Sequence, residues 1–184
     1  MKSKIPISLT YFRILIIPVF VFIFFIPGEL GKWLSCFIFV TAAFTDYLDG
    51  KLARSLNEET KLGTLLDPIA DKIIVTAALV LLIHSKAIKD LTLYAAMIII
   101  CREILVSGLR EFLAKLRVSL PVSSLSKFKT FMQMFAISVL LSGEPGNKLL
   151  MGHGRDIGLL SLWIAAVITV YTGYEYLKKG LKYT

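Results

Sequence analysis

Six stretches without a formal charge, at 14–27, 33–45, 73–85, 91–101, 130–143 and 157–174, are spread along a chain of 184 residues. An amphipathic helix in a water-soluble domain turns one apolar stripe inward and keeps a charged face outside. These stretches have no such charged face. The chain is 56% hydrophobic and only 18% charged, with a mean hydropathy of +0.73. That pattern excludes a disordered chain, a secreted disulfide scaffold and an ordinary cytosolic enzyme. It reads as an all-α, polytopic membrane protein folded as a single domain over 1–184.

A spanning helix needs about 20 mostly apolar residues. Only 157–174 comes close unaided; the other stretches reach that length by taking in charged residues at one end. The expected helices lie near 9–27, 31–53, 62–85, 91–116, 123–143 and 156–178. Gly28, Gly143, Pro145 and Gly146 are the expected breakers, and Ser123 or Ser124 the cap of the fifth helix. Sixteen of the 21 Lys and Arg residues fall on one set of helix ends and 5 on the other. The positive-inside rule then places both termini in the cytoplasm, which agrees with an even number of spans. This placement accounts for a pI near 9.5 without a nucleic-acid partner. No cleavable leader is expected after Lys2 and Lys4. Cys36 and Cys101 sit in apolar stretches and read as small buried hydrophobes, not as a bridge.

Four carboxylates interrupt this pattern. Asp46 and Asp49 close the second apolar stretch at i,i+3 spacing, and Asp67 and Asp71 open the third at i,i+4. If the two helices pack together, four negative charges meet at similar depth and must be neutralised. Oxygen-bound Mg²⁺ or Mn²⁺ answers this most simply, and Mg²⁺ commonly bridges carboxylates to substrate phosphates. A structural ion network with Lys51, Arg54 or Lys72, and a proton or cation path, remain open on spacing alone.

The surrounding residues favour a phosphate ligand. Gly50, Ala53 and Gly63 allow close approach to the backbone, and Arg54 offers a planar donor fork. The pattern Asp46-x2-Asp49-Gly50-x2-Ala53-Arg54-x8-Gly63-x3-Asp67-x3-Asp71 has eight fixed positions. By chance it should occur in fewer than about one in a million chains. It resembles the signature of the CDP-alcohol phosphotransferase family at every one of those positions. The resemblance implies six membrane helices around a polar cavity open to the cytoplasmic side, folded as a single integral-membrane domain over 1–184. It further implies two divalent cations, with Asp46 and Asp67 bridging both, Asp49 serving one and Asp71 the other. Asp71 would also be the general base, and Gly50, Ala53, Arg54, Thr60 and Gly63 would line the CDP-lipid site.

The acceptor side rests on a second basic group. Arg102 and Arg110 follow the fourth stretch, and Lys127 and Lys129 precede the fifth, with Gln133 one turn beyond Lys129. Cations at those depths need an anion. Since metals would already serve the diphosphate, this group points to a phosphorylated acceptor, while Glu103 and Glu111 read as structural partners. Ile5-Pro6-x2-Leu9-Thr10-x2-Arg13, Asp67-Pro68-x-Ala70-Asp71-Lys72, Arg102-Glu103-Ile104 through Leu109-Arg110-Glu111, and Lys127-x-Lys129-Thr130-x2-Gln133 are similar to the bacterial branch of the family that uses glycerol 3-phosphate. Ile7-Ser8 departs from the asparagine many relatives carry. This closer resemblance implies CDP-diacylglycerol and sn-glycerol 3-phosphate as substrates, membrane lipids as surroundings, a homodimer, and a multi-pass place in the bacterial cytoplasmic membrane. The alternatives are another acceptor, such as inositol phosphate or serine, and a small cation transporter.

Overall fold

The computed structural model describes the backbone of residues 5–56, 61–116, 118 and 123–180, and the side chains of 15–45, 69–70, 72–114, 116, 118 and 123–180. Six helices and no strand occur among the described residues: α1 Ile5–Phe24, α2 Gly28–Leu56, α3 Lys61–His84, α4 Thr92–Lys115, α5 Ser124–Leu149 and α6 Gly154–Gly180. Among the described residues, two helical segments, Thr92–Ala114 and Gly154–Gly180, are long and apolar enough by themselves to cross a membrane.

Contacts along the helices fix their directions. Phe20 meets Phe39 at 6.3 Å between ring centroids, setting α1 against α2. The Cys36 thiol donates to the Ser138 carbonyl at 3.3 Å, and the Lys148 ammonium donates to Glu29 at 2.8 Å, so α2 and α5 run antiparallel. Arg102 reaches Thr172 and Arg110 reaches Tyr176, so α4 and α6 run the same way. The ends of α2 and α4 and the starts of α3 and α5 therefore share one end of the bundle with the end of α6. At the opposite end, the hydrogen bond from Lys148 to Glu29 and the carboxylate's charge raise the Lys148 pKa above its ordinary value. This exposed pair is screened and contributes little to stability.

Large apolar side chains cover both the inside and the outside. Leu79, Leu82, Ile99, Ile137, Leu141 and Leu162 are buried at the centre. Phe22, Phe37, Tyr94, Ile104, Phe131 and Val167 are each more than 60% exposed, as lipid-facing side chains are and as a water-soluble surface rarely allows. Cys101 corrects the sequence reading: it is exposed, Cys36 is half-buried, and both thiols are free.

The last loop lies later than the breakers suggested. Gly143 takes φ +56° and ψ −138°, which kinks the chain, but helix resumes after it through Leu149. Pro145 fits there because the opening turn of a helix has no intrahelical use for its missing N–H. The true stop follows Leu150, where Gly152 N–H donates to Asn147 at 2.8 Å and Met151 N–H to Lys148 at 3.2 Å, a Schellman closure. At the start of α5 the Ser123 hydroxyl accepts from Ser126 N–H at 3.2 Å, confirming the expected cap.

Small residues let α6 sit close to its neighbours. Its buried face carries Gly154, Gly158, Ser161, Ala165, Ala166, Thr169, Thr172, Gly173 and Gly180. A β-carbon at Gly158 would lie 2.8 Å from Leu140, whereas one at Gly108 meets nothing within 4 Å. Gly158→Val should therefore cost about 1–3 kcal/mol by overpacking. Gly108→Ala should be neutral or stabilise by up to about 1 kcal/mol. Thermal unfolding of both variants in the same detergent checks the contrast; equal stabilities would contradict the tight α5–α6 seam.

Candidate functional site

The aspartate pattern lies on two helices that meet at one end of the bundle. α2 remains helical through Leu56, so Asp46, Asp49, Gly50, Ala53 and Arg54 all stand on its final turns. Gly63, Asp67 and Asp71 stand on the opening turns of α3. The side chains of these residues lie outside those described, and Thr60 lies outside the described residues altogether.

The basic group is described more fully, and most of it converges. Lys129 is 3% exposed and pairs with the Glu103 carboxylate. Arg102 approaches the same Glu103 oxygen with Nη1 at 3.7 Å and donates from Nη2 to the Thr172 hydroxyl at 3.2 Å. Arg110 donates from Nη2 to the Tyr176 hydroxyl at 2.8 Å. The Tyr176 ring lies 5.0 Å from the Arg110 guanidinium carbon and 5.9 Å from that of Arg102. One tyrosine thus faces two cations, whose attraction to its ring offsets part of their mutual repulsion. Lys127 is exposed. Glu103 takes the structural role expected of it; Glu111 is exposed and forms no ion pair among the described residues.

Among the described residues, three buried side-chain polar atoms have no hydrogen-bond partner: Arg102 Nε, Gln133 Oε1 and Thr169 Oγ1. They stand on α4, α5 and α6, the three helices joined by the Arg102, Glu103, Lys129 and Thr172 contacts. Most buried polar groups in folded proteins are satisfied, so such a set marks a place for bound water or a ligand. Arg102 therefore keeps one side of its donor fork uncommitted. Sequence reading missed Thr169, Thr172 and Tyr176. Their signal was present as polar residues recurring at helical spacing inside the last uncharged stretch.

A cavity of about 250 Å³ lies at the opposite end, where Phe24, Lys32, Lys86, Asn147 and Arg155 are among its lining residues. It is separate from the helix ends that carry the aspartates.

The buried Glu103–Lys129 pair should be the most sensitive ionic contact. Lys129→Met leaves a carboxylate with a weakened partner set and should cost about 3 kcal/mol. Adding Glu103→Gln should recover part of that loss. A double-mutant cycle read by thermal unfolding tests the coupling, and strictly additive effects would refute it.

Comparison with known proteins agrees with the family resemblance. The family model described as CDP-alcohol phosphatidyltransferase matches residues 3–171. A Rickettsia bellii protein named CDP-diacylglycerol–glycerol-3-phosphate 3-phosphatidyltransferase is 44% identical over 181 residues, covering 98% of this chain and 97% of its own. Proteins of the same name from Haemophilus influenzae and Pectobacterium atrosepticum are 41% and 42% identical, each over 94% of its own length and at least 96% of this chain. With the signature on adjoining helix ends and a family match over nearly its whole length, this chain belongs to the CDP-alcohol phosphatidyltransferase family.

Proposed function

We propose that the chain transfers the phosphatidyl group of CDP-diacylglycerol to sn-glycerol 3-phosphate, giving phosphatidylglycerophosphate and CMP. Identity above 40% along almost the full length to several proteins named for that reaction carries the reading. The uncommitted Arg102 Nε, within a basic group apart from the aspartate helices, supports an acceptor that brings its own phosphate.

The donor set fits divalent metal. Four aspartates on neighbouring helix ends supply hard oxygen ligands and the negative charge that Mg²⁺ or Mn²⁺ requires. Asp46, Asp49, Asp67 and Asp71 would together hold two such ions. Bound there, the ions would neutralise the donor's diphosphate and the leaving CMP phosphate. Gly50, Ala53, Arg54, Thr60 and Gly63 bind the CDP-lipid in this reading. Asp71 takes the proton of the glycerol 1-hydroxyl as its oxygen bonds to the phosphorus bearing diacylglycerol, and the bond from that phosphorus to the CMP oxygen breaks. Arg102, Arg110, Lys127 and Lys129 attract and orient the acceptor phosphate.

The same reading makes residues 1–184 one domain whose six helices all span the bacterial cytoplasmic membrane. Both termini and the polar cavity face the cytoplasm, and two copies form a homodimer. Exposed apolar side chains and the uneven Lys and Arg distribution support the membrane placement.

An acceptor screen with purified protein, CDP-diacylglycerol and Mg²⁺ or Mn²⁺ tests the assignment. CMP release should require glycerol 3-phosphate and stop in excess chelator. Release with inositol phosphate or serine alone would change the acceptor, and ion flux without CDP-lipid would overturn the reaction class. Asp46→Asn or Asp67→Asn should reduce turnover by about a hundredfold or more, because each weakens both metal positions. Cysteine labelling should place both termini opposite Lys86 and Lys148; labelling all of them from one side would refute the six-span arrangement.

A further inference from the structure

We propose that α6 positions the acceptor arginines: Thr172, Gly173 and Tyr176 hold Arg102 and Arg110 where they meet the phosphate of glycerol 3-phosphate. This rests on the assignment of those arginines to the acceptor, and it gives a role to residues just beyond the 3–171 matched by the family model.

Each contact orients a guanidinium without cancelling its charge. The Thr172 hydroxyl donates its hydrogen to the Ile168 carbonyl at 2.8 Å, which leaves a lone pair for Arg102 Nη2 at 3.2 Å. The Tyr176 hydroxyl accepts from Arg110 Nη2 at 2.8 Å, and its ring faces both arginines. Gly173 leaves room for the Arg102 stem, since a β-carbon there would lie 3.2 Å from Arg102 Cγ and 3.7 Å from Nε. A carboxylate in place of these groups would hold an arginine as firmly but neutralise it. Among the described residues Arg110 has no ion pair, and the carboxylate that Arg102 approaches, Glu103, is shared with Lys129. Arg102 Nε, buried and unpartnered, is left to donate to an incoming phosphate oxygen.

Steady-state kinetics with both substrates varied separate positioning from mere packing. Thr172→Val and Tyr176→Phe remove a hydroxyl while keeping the side chain's bulk. Each should raise KM for glycerol 3-phosphate about fivefold to tenfold, with KM for CDP-diacylglycerol changed less than about twofold. Gly173→Ala should act in the same direction by pushing on Arg102, and Thr172→Ser should restore the parent value. Arg102→Ala, measured in parallel, should raise KM for glycerol 3-phosphate more than any of these.

If Arg102→Ala has that effect while Thr172→Val and Tyr176→Phe do not, positioning by α6 is wrong and the acceptor assignment stands. If Arg102→Ala leaves KM for glycerol 3-phosphate unchanged, the assignment of the arginines falls, and this proposal with it. Equal impairment toward both substrates, with lowered thermal stability and no recovery in Thr172→Ser, would reduce the α6 residues to a packing role and overturn the proposal.

Discussion

A charge set among apolar helices has to be answered by the protein, because hydrocarbon cannot solvate it. This constraint organises one end of the bundle. Lys129 is buried and finds Glu103 on another helix, while Arg102 divides its donors between Glu103 and Thr172. The contacts tie α4, α5 and α6 together at the depth where apolar surface gives way to the polar end. Breaking one partner leaves the other stranded, so these helices must keep their register to keep their charges satisfied.

That register depends on close approach, which α6 supplies through its small residues. Membrane helices gain little from hydrophobic association in lipid and pack through van der Waals contact, favouring Gly, Ala, Ser and Thr at their seams. Gly158 meets Leu140 of α5, and Gly173 meets the stem of Arg102 of α4. The same face bears Thr172 and Tyr176, whose oxygens receive the arginines. One helix face therefore serves both packing and polar orientation. A larger residue on it would disturb the two together.

The helices were legible because uncharged stretches in a membrane chain are long and their borders charged. The fifth helix was read too short, since Gly143, Pro145 and Gly146 look like a loop in sequence. In the fold only Gly143 departs from helical backbone, and Pro145 falls in the first turn of the resumed helix, where it does no harm. Cys101 was misread for a different reason. Burial rules drawn from water-soluble proteins send a thiol inward, but a lipid-facing position exposes it at little cost. The aspartate pattern was legible from spacing alone and lies on the helical backbone that spacing implied. Thr169, Thr172 and Tyr176 were hidden because hydropathy averages a span and cannot say which of its polar residues face a charged neighbour.

The donor and acceptor groups place different demands on the chain. A diphosphate held through metal needs several carboxylates at fixed spacing, and the sequence between Asp46 and Asp71 shows that spacing directly. An acceptor phosphate held by arginines needs cations whose charge is oriented but not quenched, and neutral hydroxyls, an aromatic ring and the absence of a side chain can provide that. Such supports have no fixed short-range spacing, because they come from a helix some 70 residues away in sequence from the arginines they touch. A signature can therefore disclose the transfer chemistry while leaving the acceptor's surroundings to the fold. In this chain the surroundings proposed for the acceptor lie where α4 and α6 run side by side.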